Sequence, residues 1–370
     1  MKILILISML FSLQYAKYYD SKSCGECHED IYREHTKSMH HKSSILKDEI
    51  HRKVAEKVTP GKYSCALCHM PSTNDLAGMI RGKHQPKESD VRHQDGVSCS
   101  YCHQINNIYH AKAYNINFTS NVKGQKPTYY GNLENPDDSD KHSAGKHPFY
   151  KNSEVCMGCH SHKENKHGVQ VCNTLNQYEK TSDCIGCHMP KYPGPVEKFN
   201  KKGRDEYASH EFLGIHSTKM VKKAVNLLLQ QTENGIALTI SNRMGHRIIT
   251  QPMRLKFAKT VITRKGKVIW SNFKDSPLED KEATFVIVFK DENGKASLPG
   301  SARGYKINQN LEAVANKTVH YVIDDLRKGD EVTSTWISYI IKPKLAKKLQ
   351  ITDKDTIKPY IGAEEAIVIQ

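Results

Sequence analysis

Aliphatic side chains are scarce in the first half of this chain: from Lys17 to His210 only 22 of 194 residues are Ile, Leu or Val. A region of that size with so little aliphatic mass cannot build an ordinary hydrophobic core. From Ser217 to Gln370 the count rises to 39 of 154, so the two halves must be stabilised differently. Long apolar runs are also missing. The single N-terminal one, Ile3 to Leu13, is too short to span a bilayer, and nothing later is apolar enough to do so. Acidic residues are in deficit, 40 Asp and Glu against 55 Lys and Arg, and tryptophan occurs twice. An exported, basic chain without a recognition motif is not expected to bind nucleic acid.

What is present begins with "MKILILISMLFSLQYAK". Lys2, the short apolar run and the small Ala16 read as a cleavable signal peptide over residues 1–16, with an uncleaved anchor as the alternative. The mature protein is therefore expected in the periplasm or outside the cell. In such a compartment cysteines usually pair as disulfides. There are 11 cysteines, and 10 of them fall in five copies of Cys-x-x-Cys-His: "CGECH", "CALCH", "CSYCH", "CMGCH" and "CIGCH". Disulfides explain neither the odd total nor the histidine that follows each pair. Zinc knuckles work in twos, so five leave one over, and the fixed histidine has no role in them. Covalent c-type haem accounts for every position, because each thiol adds to a porphyrin vinyl group and the next imidazole ligates the iron.

Five c-type haems follow, attached through Cys24 and Cys27, Cys65 and Cys68, Cys99 and Cys102, Cys156 and Cys159, and Cys184 and Cys187. Their proximal ligands are His28, His69, His103, His160 and His188. Cys172 is left without assigned chemistry. The first cysteines are 41, 34, 57 and 28 residues apart, which rules out a strict repeat. Porphyrin rings would supply the missing apolar mass, so residues 17–216 are expected to form a haem-cored region of helices and loops. The polar interval from Asn115 to His147 reads as loop, and "KYPGPVEKFNKKGRDEY", Lys191 to Tyr207, as a linker.

Residues 217–370 show period-two patterning instead. Val225, Leu227 and Leu229 alternate toward the turn "TENG", and Ile236, Leu238 and Ile240 alternate away from it, a hairpin pattern. Further strand candidates are "MRLKFAKTVIT", "KVIWSNF", "TFVIVFK", "NKTVHYVID" and "EVTSTWISYII". The expected fold is α+β and multidomain, with an all-β, immunoglobulin-like sandwich after the haem region.

Fifteen of the 20 histidines lie outside the pentads, 13 of them between His35 and His216. That surplus suits haems capped on the far side by a second histidine. Met70 and Met189 directly follow proximal histidines and cannot reach round their own haem.

The chain resembles multihaem c-type cytochromes of the cytochrome c-552/c-554-like family with an added β domain. The stretches that carry this are "CGECHEDIYREHTKSMHHKS", "DGVSCSYCHQI", "YKNSEVCMGCHSHKENKHGV", "DCIGCHMP" and "SHEFLGIH", followed by "ISNRMGHRIITQPMRLKF". Two departures stand out: His35 where relatives often have tryptophan, and "RIIT" where Pro-Thr is usual after Gly-His. The resemblance implies His40 and His210 as distal ligands, then His142 with His147 as its rival, and His93 and His246 to complete the set. His246 as a ligand would clamp the β domain onto the haems.

A catalyst needs an iron with an open position. Multihaem nitrite reductases often replace one proximal histidine with lysine, and no Cys-x-x-Cys-Lys occurs here. Electron transfer is therefore the expected function, with no catalytic residues. Reduction of a small nitrogen or sulfur compound at one open haem is the alternative, and a structural unit of an electron conduit a further one. The formal charge of +15 becomes +14 on loss of Lys2. Five ferric haems, each roughly −1 with their propionates, would bring it to ~+9. That excess favours acidic redox proteins as partners, with membrane quinol-oxidising complexes as a further expectation.

Overall fold

The computed structural model describes residues 18–122, 124–174, 183–194, 202 and 204–370. The expected signal segment and the middle of the expected linker lie outside the described residues.

Each pentad sits on or beside a short helix, because Cys-x-x-Cys spans one helical turn and puts both thiols on one face. Three of these turns begin at a side-chain cap. Asp20 caps Ser21–Gly25, Ser98 caps Cys99–Cys102 and Asp183 caps Cys184–His188, each accepting from an otherwise orphan backbone N–H. The other two pentads lie at Ala66–His69 and Glu154–His160. Two longer helices, Glu29–Lys37 and Glu49–Val58, flank them.

The interval expected to be loop is instead paired. Ile105–His110 runs antiparallel to Asn115–Thr119, and Thr128–Gly131 runs parallel to Ser143–Lys146. The first pair buries Ile105, Ile108 and Asn115, and two of its asparagines bond to a pentad helix. Asn115 Nδ2 donates to Met157 O at 3.0 Å and Asn117 Nδ2 to Cys159 Sγ at 3.5 Å. Gly158 permits this approach, since a Cβ there would lie 1.5 Å from Asn117 Oδ1. The expected linker is partly ordered too: Lys191–Pro193 pairs with Glu206–Ala208.

After the helix Thr218–Ala224 come ten strands: β1 (Val225–Thr232), β2 (Gly235–Asn242), β3 (Leu255–Arg264), β4 (Lys267–Ser271), β5 (Thr284–Lys290), β6 (Ala296–Ser297), β7 (Gly304–Gln309), β8 (Asn316–Val322), β9 (Glu331–Tyr339) and β10 (Tyr360–Val368). They form two antiparallel sheets. One has the order β8-β2-β1; the other has β6-β5-β3-β9-β10, with β4 also on β3 and β7 on β5. The hairpin register sets Leu229 opposite Leu238 and Leu227 opposite Ile240. These residues share one core with Ile262, Phe285, Val332 and Trp336 of the larger sheet, so the sheets pack face to face.

The β region contacts the first region directly. Glu49 accepts from the backbone N–H groups of Thr352 and Asp353 at 2.9 and 3.0 Å. Asn165 Nδ2 donates to Pro299 O and Ala302 O, both at 2.9 Å. Among the described residues no helix is long and apolar enough to cross a membrane.

Candidate haem sites

The first region encloses a continuous, mainly apolar cavity of about 3100 Å³, bounded on one side by the β region. An ordinary small-molecule pocket is about 300–1,000 Å³. All ten pentad cysteines and all five pentad histidines line it. This is the missing core of the first region, with donors set for large apolar rings.

Neighbouring pentads nearly touch. The thiols of Cys24 and Cys99, of Cys68 and Cys159, and of Cys156 and Cys184 lie within hydrogen-bonding reach of each other. Cys102 is close enough to influence both Cys156 and Cys159 electrostatically.

The proximal imidazoles are aimed by backbone carbonyls. His103 Nδ1 is 2.7 Å from Tyr130 O and His188 Nδ1 is 2.6 Å from Leu213 O. With Nδ1 as the donor, Nε2 keeps its lone pair for a metal, which is how ligating histidines are usually fixed. His210 and His246 follow the same rule, with Nδ1 at 2.9 Å from Ala208 O and 2.8 Å from Arg247 O.

Two imidazoles that share one metal, with metal–nitrogen bonds of about 2 Å, have ring centroids about 6 Å apart. Four pairs meet this spacing: His28 with His142 at 6.3 Å, His160 with His40 at 6.0 Å, His103 with His210 at 6.1 Å, and His188 with His246 at 6.5 Å. Burial lowers His40 and His210 to about 3 and His246 to about 4, so all three are neutral near pH 7.

His69 is different. Its nearest imidazole, His51, lies at 4.2 Å, too close for the two rings to face each other across one iron, although Asp48, His51 and His69 bring ligand atoms within 4.8 Å of one another. His51 is held on its other side by Asp48, Nδ1 to Oδ2 at 2.6 Å. Nothing in the sequence singled out His51.

His93, expected as a distal ligand, is not in the cavity wall. It is buried, its Nδ1 accepts from Lys87 N at 2.9 Å, and its Nε2 lies 3.8 Å from carboxylate oxygens of Asp75 and Asp90. None of those partners belongs to a pentad. His147 also lies outside the wall and caps the turn Pro148–Tyr150, leaving His142 to face His28. Cys172 reaches Gln251 of the β region at 3.5 Å, and burial pushes its thiol up to about 12.

The ten thiols and five imidazoles that line an apolar cavity of this size are suited to hold c-type haems, as in a multihaem c-type cytochrome. Residues 23–104 match the family of cytochrome c554 and c-prime, and the whole chain has the fold of a penta-heme cytochrome c552 from Thermochromatium tepidum. That structure superposes with a TM-score of 0.79 at 22% identity, covering 96% of this chain and 100% of the other. The five cysteine pairs account for five c-type haems. No curated protein matches it significantly by sequence.

Proposed function

We propose that this cytochrome relays electrons through five haems, four closed by histidine on both faces and one bound by His69 alone. The four imidazole pairs spaced 6.0–6.5 Å apart carry the reading. A second histidine on an iron keeps it closed to substrates and suits it to electron transfer. The contacting thiols support a path from the haem at Cys24 to that at Cys99, on to those at Cys156 and Cys184, with the haem at Cys65 branching from Cys159. The haem supplies the electron-accepting iron. The chain holds its thioether carbons and imidazole ligands and keeps water from its faces.

His246 ties the β region to the haem at Cys184. That region reads as immunoglobulin-like, since one sheet joins β1, β2 and β8 while β3, β9 and β10 lie in the other, the partition of such sandwiches. The division falls between residues 216 and 217, just before the helix that leads into β1. The site of action is the periplasm or beyond, after removal of residues 1–16. The formal charge of +15 favours acidic redox proteins as partners, and a membrane quinol-oxidising complex as a donor fits the same charge.

The test is a reductive titration of the purified protein, then reoxidation by a small acidic electron carrier. A relay takes up five electrons per chain and passes them on at a rate that falls steeply with salt. Turnover of nitrite or hydroxylamine faster than this passage would overturn it. The 4.2 Å approach of His51 to His69 favours one second reading, reduction of a small nitrogen or sulfur compound at that haem.

A further inference from the structure

The β region presents to the haem cavity a half-buried guanidinium, a buried ammonium and a buried hydroxyl, with no acceptor for them among the described residues. Lys256 is the second residue of β3 and 7% exposed, and its register partner on β9 is Ser338, 1% exposed. Arg254 immediately precedes β3. All three line the cavity. No ion pair or side-chain hydrogen bond reaches Arg254 or Lys256 from the described residues, and the Ser338 hydroxyl is buried and unpartnered.

Burying one unpaired cation costs several kcal/mol, and burying two side by side costs more. The pair is felt as such, because desolvation lowers Lys256 to about 7 with Arg254 adding to it, and Arg254 itself falls to about 10. Among the described residues nothing anionic offsets this, and the group that favours Arg254's charge is the Cys172 thiol. A half-buried guanidinium, a buried ammonium and a buried hydroxyl facing one cavity make a cradle for a carboxylate or similar oxyanion, with charge-assisted hydrogen bonds to both oxygens.

The anion has two possible sources, a propionate of a bound haem or a free oxyanion. The neighbours decide between them. Arg254, Lys256 and Ser338 share the cavity wall with His188 and His246, and the two cations follow His246 by only eight and ten residues. Haem attached there carries two carboxylates into the same cavity. We propose that Arg254, Lys256 and Ser338 bind a propionate of the haem held by His188 and His246, so that the β region sets the potential of that haem as well as ligating it. This rests on the pairing of His188 with His246 proposed above.

The test uses the five-haem protein carrying R254Q, K256M, both together, S338A, or the charge-keeping R254K and K256R. A nearby cation favours the reduced, less positive iron, so losing one lowers the potential. In a spectroelectrochemical titration the midpoint of one haem should fall in each charge-removing single variant and further in the double. It should fall less in S338A and hold in R254K and K256R, while four midpoints stay put. Five unchanged midpoints in the double variant would overturn the proposal. So would wild-type spectra that respond to added nitrite or sulfate, a response lost in the double variant without any midpoint shift in anion-free buffer, since the cradle would then serve a free anion. Electron paramagnetic resonance of the same samples tests the His188–His246 pairing separately. If that pairing failed while one midpoint still moved, the cradle would stand and only its haem would be reassigned.

Discussion

His188 and His246 face each other 14° from parallel with ring centroids 6.5 Å apart, although one closes a cysteine pair and the other lies on the loop after β2. Neither ring is placed by local sequence alone. Each is turned by a backbone carbonyl, Leu213 O for His188 and Arg247 O for His246, and the two carbonyls belong to different regions. The β region thus brings an imidazole to the haem cavity as well as a wall.

Replacing His246 by Ala should therefore open one haem without releasing it, because the thioether bonds and His188 remain. The expected result is an unchanged haem count, one high-spin ferric signal in place of a low-spin one, and a ligand-binding site for cyanide. Pyridine haemochrome quantification with paramagnetic resonance checks this.

At the Cys65 haem the opposite holds. His51 sits too close to His69 to face it across an iron, so His51→Ala should create no new high-spin haem. Cyanide should bind one haem per chain in the unmodified protein and the same haem in the variant. A new high-spin signal in His51→Ala would show that His51 is a distal ligand.

Gly96 guards a distal histidine through the backbone. Its φ is +61°, and a Cβ there would lie 2.3 Å from His40 O, which accepts from Val97 N at 3.0 Å. Gly96→Ala should cost about 1–2 kcal/mol for the left-handed backbone, and more for the displaced carbonyl. The expected outcome is a lower melting temperature and a weakened low-spin signal from the haem that His40 caps, measured by thermal circular dichroism and magnetic resonance.

The buried imidazoles also fix the response to acid. His40 and His210 are held at about 3 in the fold, against about 6.5 in an unfolded chain. Between those values the unfolded state binds more protons, so stability falls as pH drops from about 6.5 toward 3. Each group contributes at most about 1.4 kcal/mol per pH unit, and iron ligation widens the window on the acid side. Melting temperature should be insensitive to these groups above about pH 7 and should decline progressively below it.

Much of this was legible in the sequence for physical reasons. The Cys-x-x-Cys-His pentads encode their chemistry within one helical turn. The hairpin of β1 and β2 announces itself by alternation, because one face of each strand is buried. The strand β10 escaped notice because Glu364 and Glu365 interrupt its pattern where it turns outward. The paired strands between Asn115 and Lys146 show little apolar alternation: the amide nitrogens of Asn115 and Asn117 bond to a pentad helix, and the parallel pair has no fully buried residue. Distal positions are set by tertiary structure: of the residues the resemblance implied, His40, His142, His210 and His246 lie 6.0–6.5 Å from pentad imidazoles, while His147 caps a turn and His93 Nδ1 accepts from Lys87 N. The orphan hydroxyl of Ser338 has no sequence pattern at all.

The most direct test is spin-quantified electron paramagnetic resonance of the ferric protein with haem counted on the same sample. The account predicts five haems per chain, four of them low-spin with signals typical of paired imidazoles and one high-spin species that alone shifts with cyanide. Five low-spin haems indifferent to cyanide, or two or more high-spin ones, would contradict it.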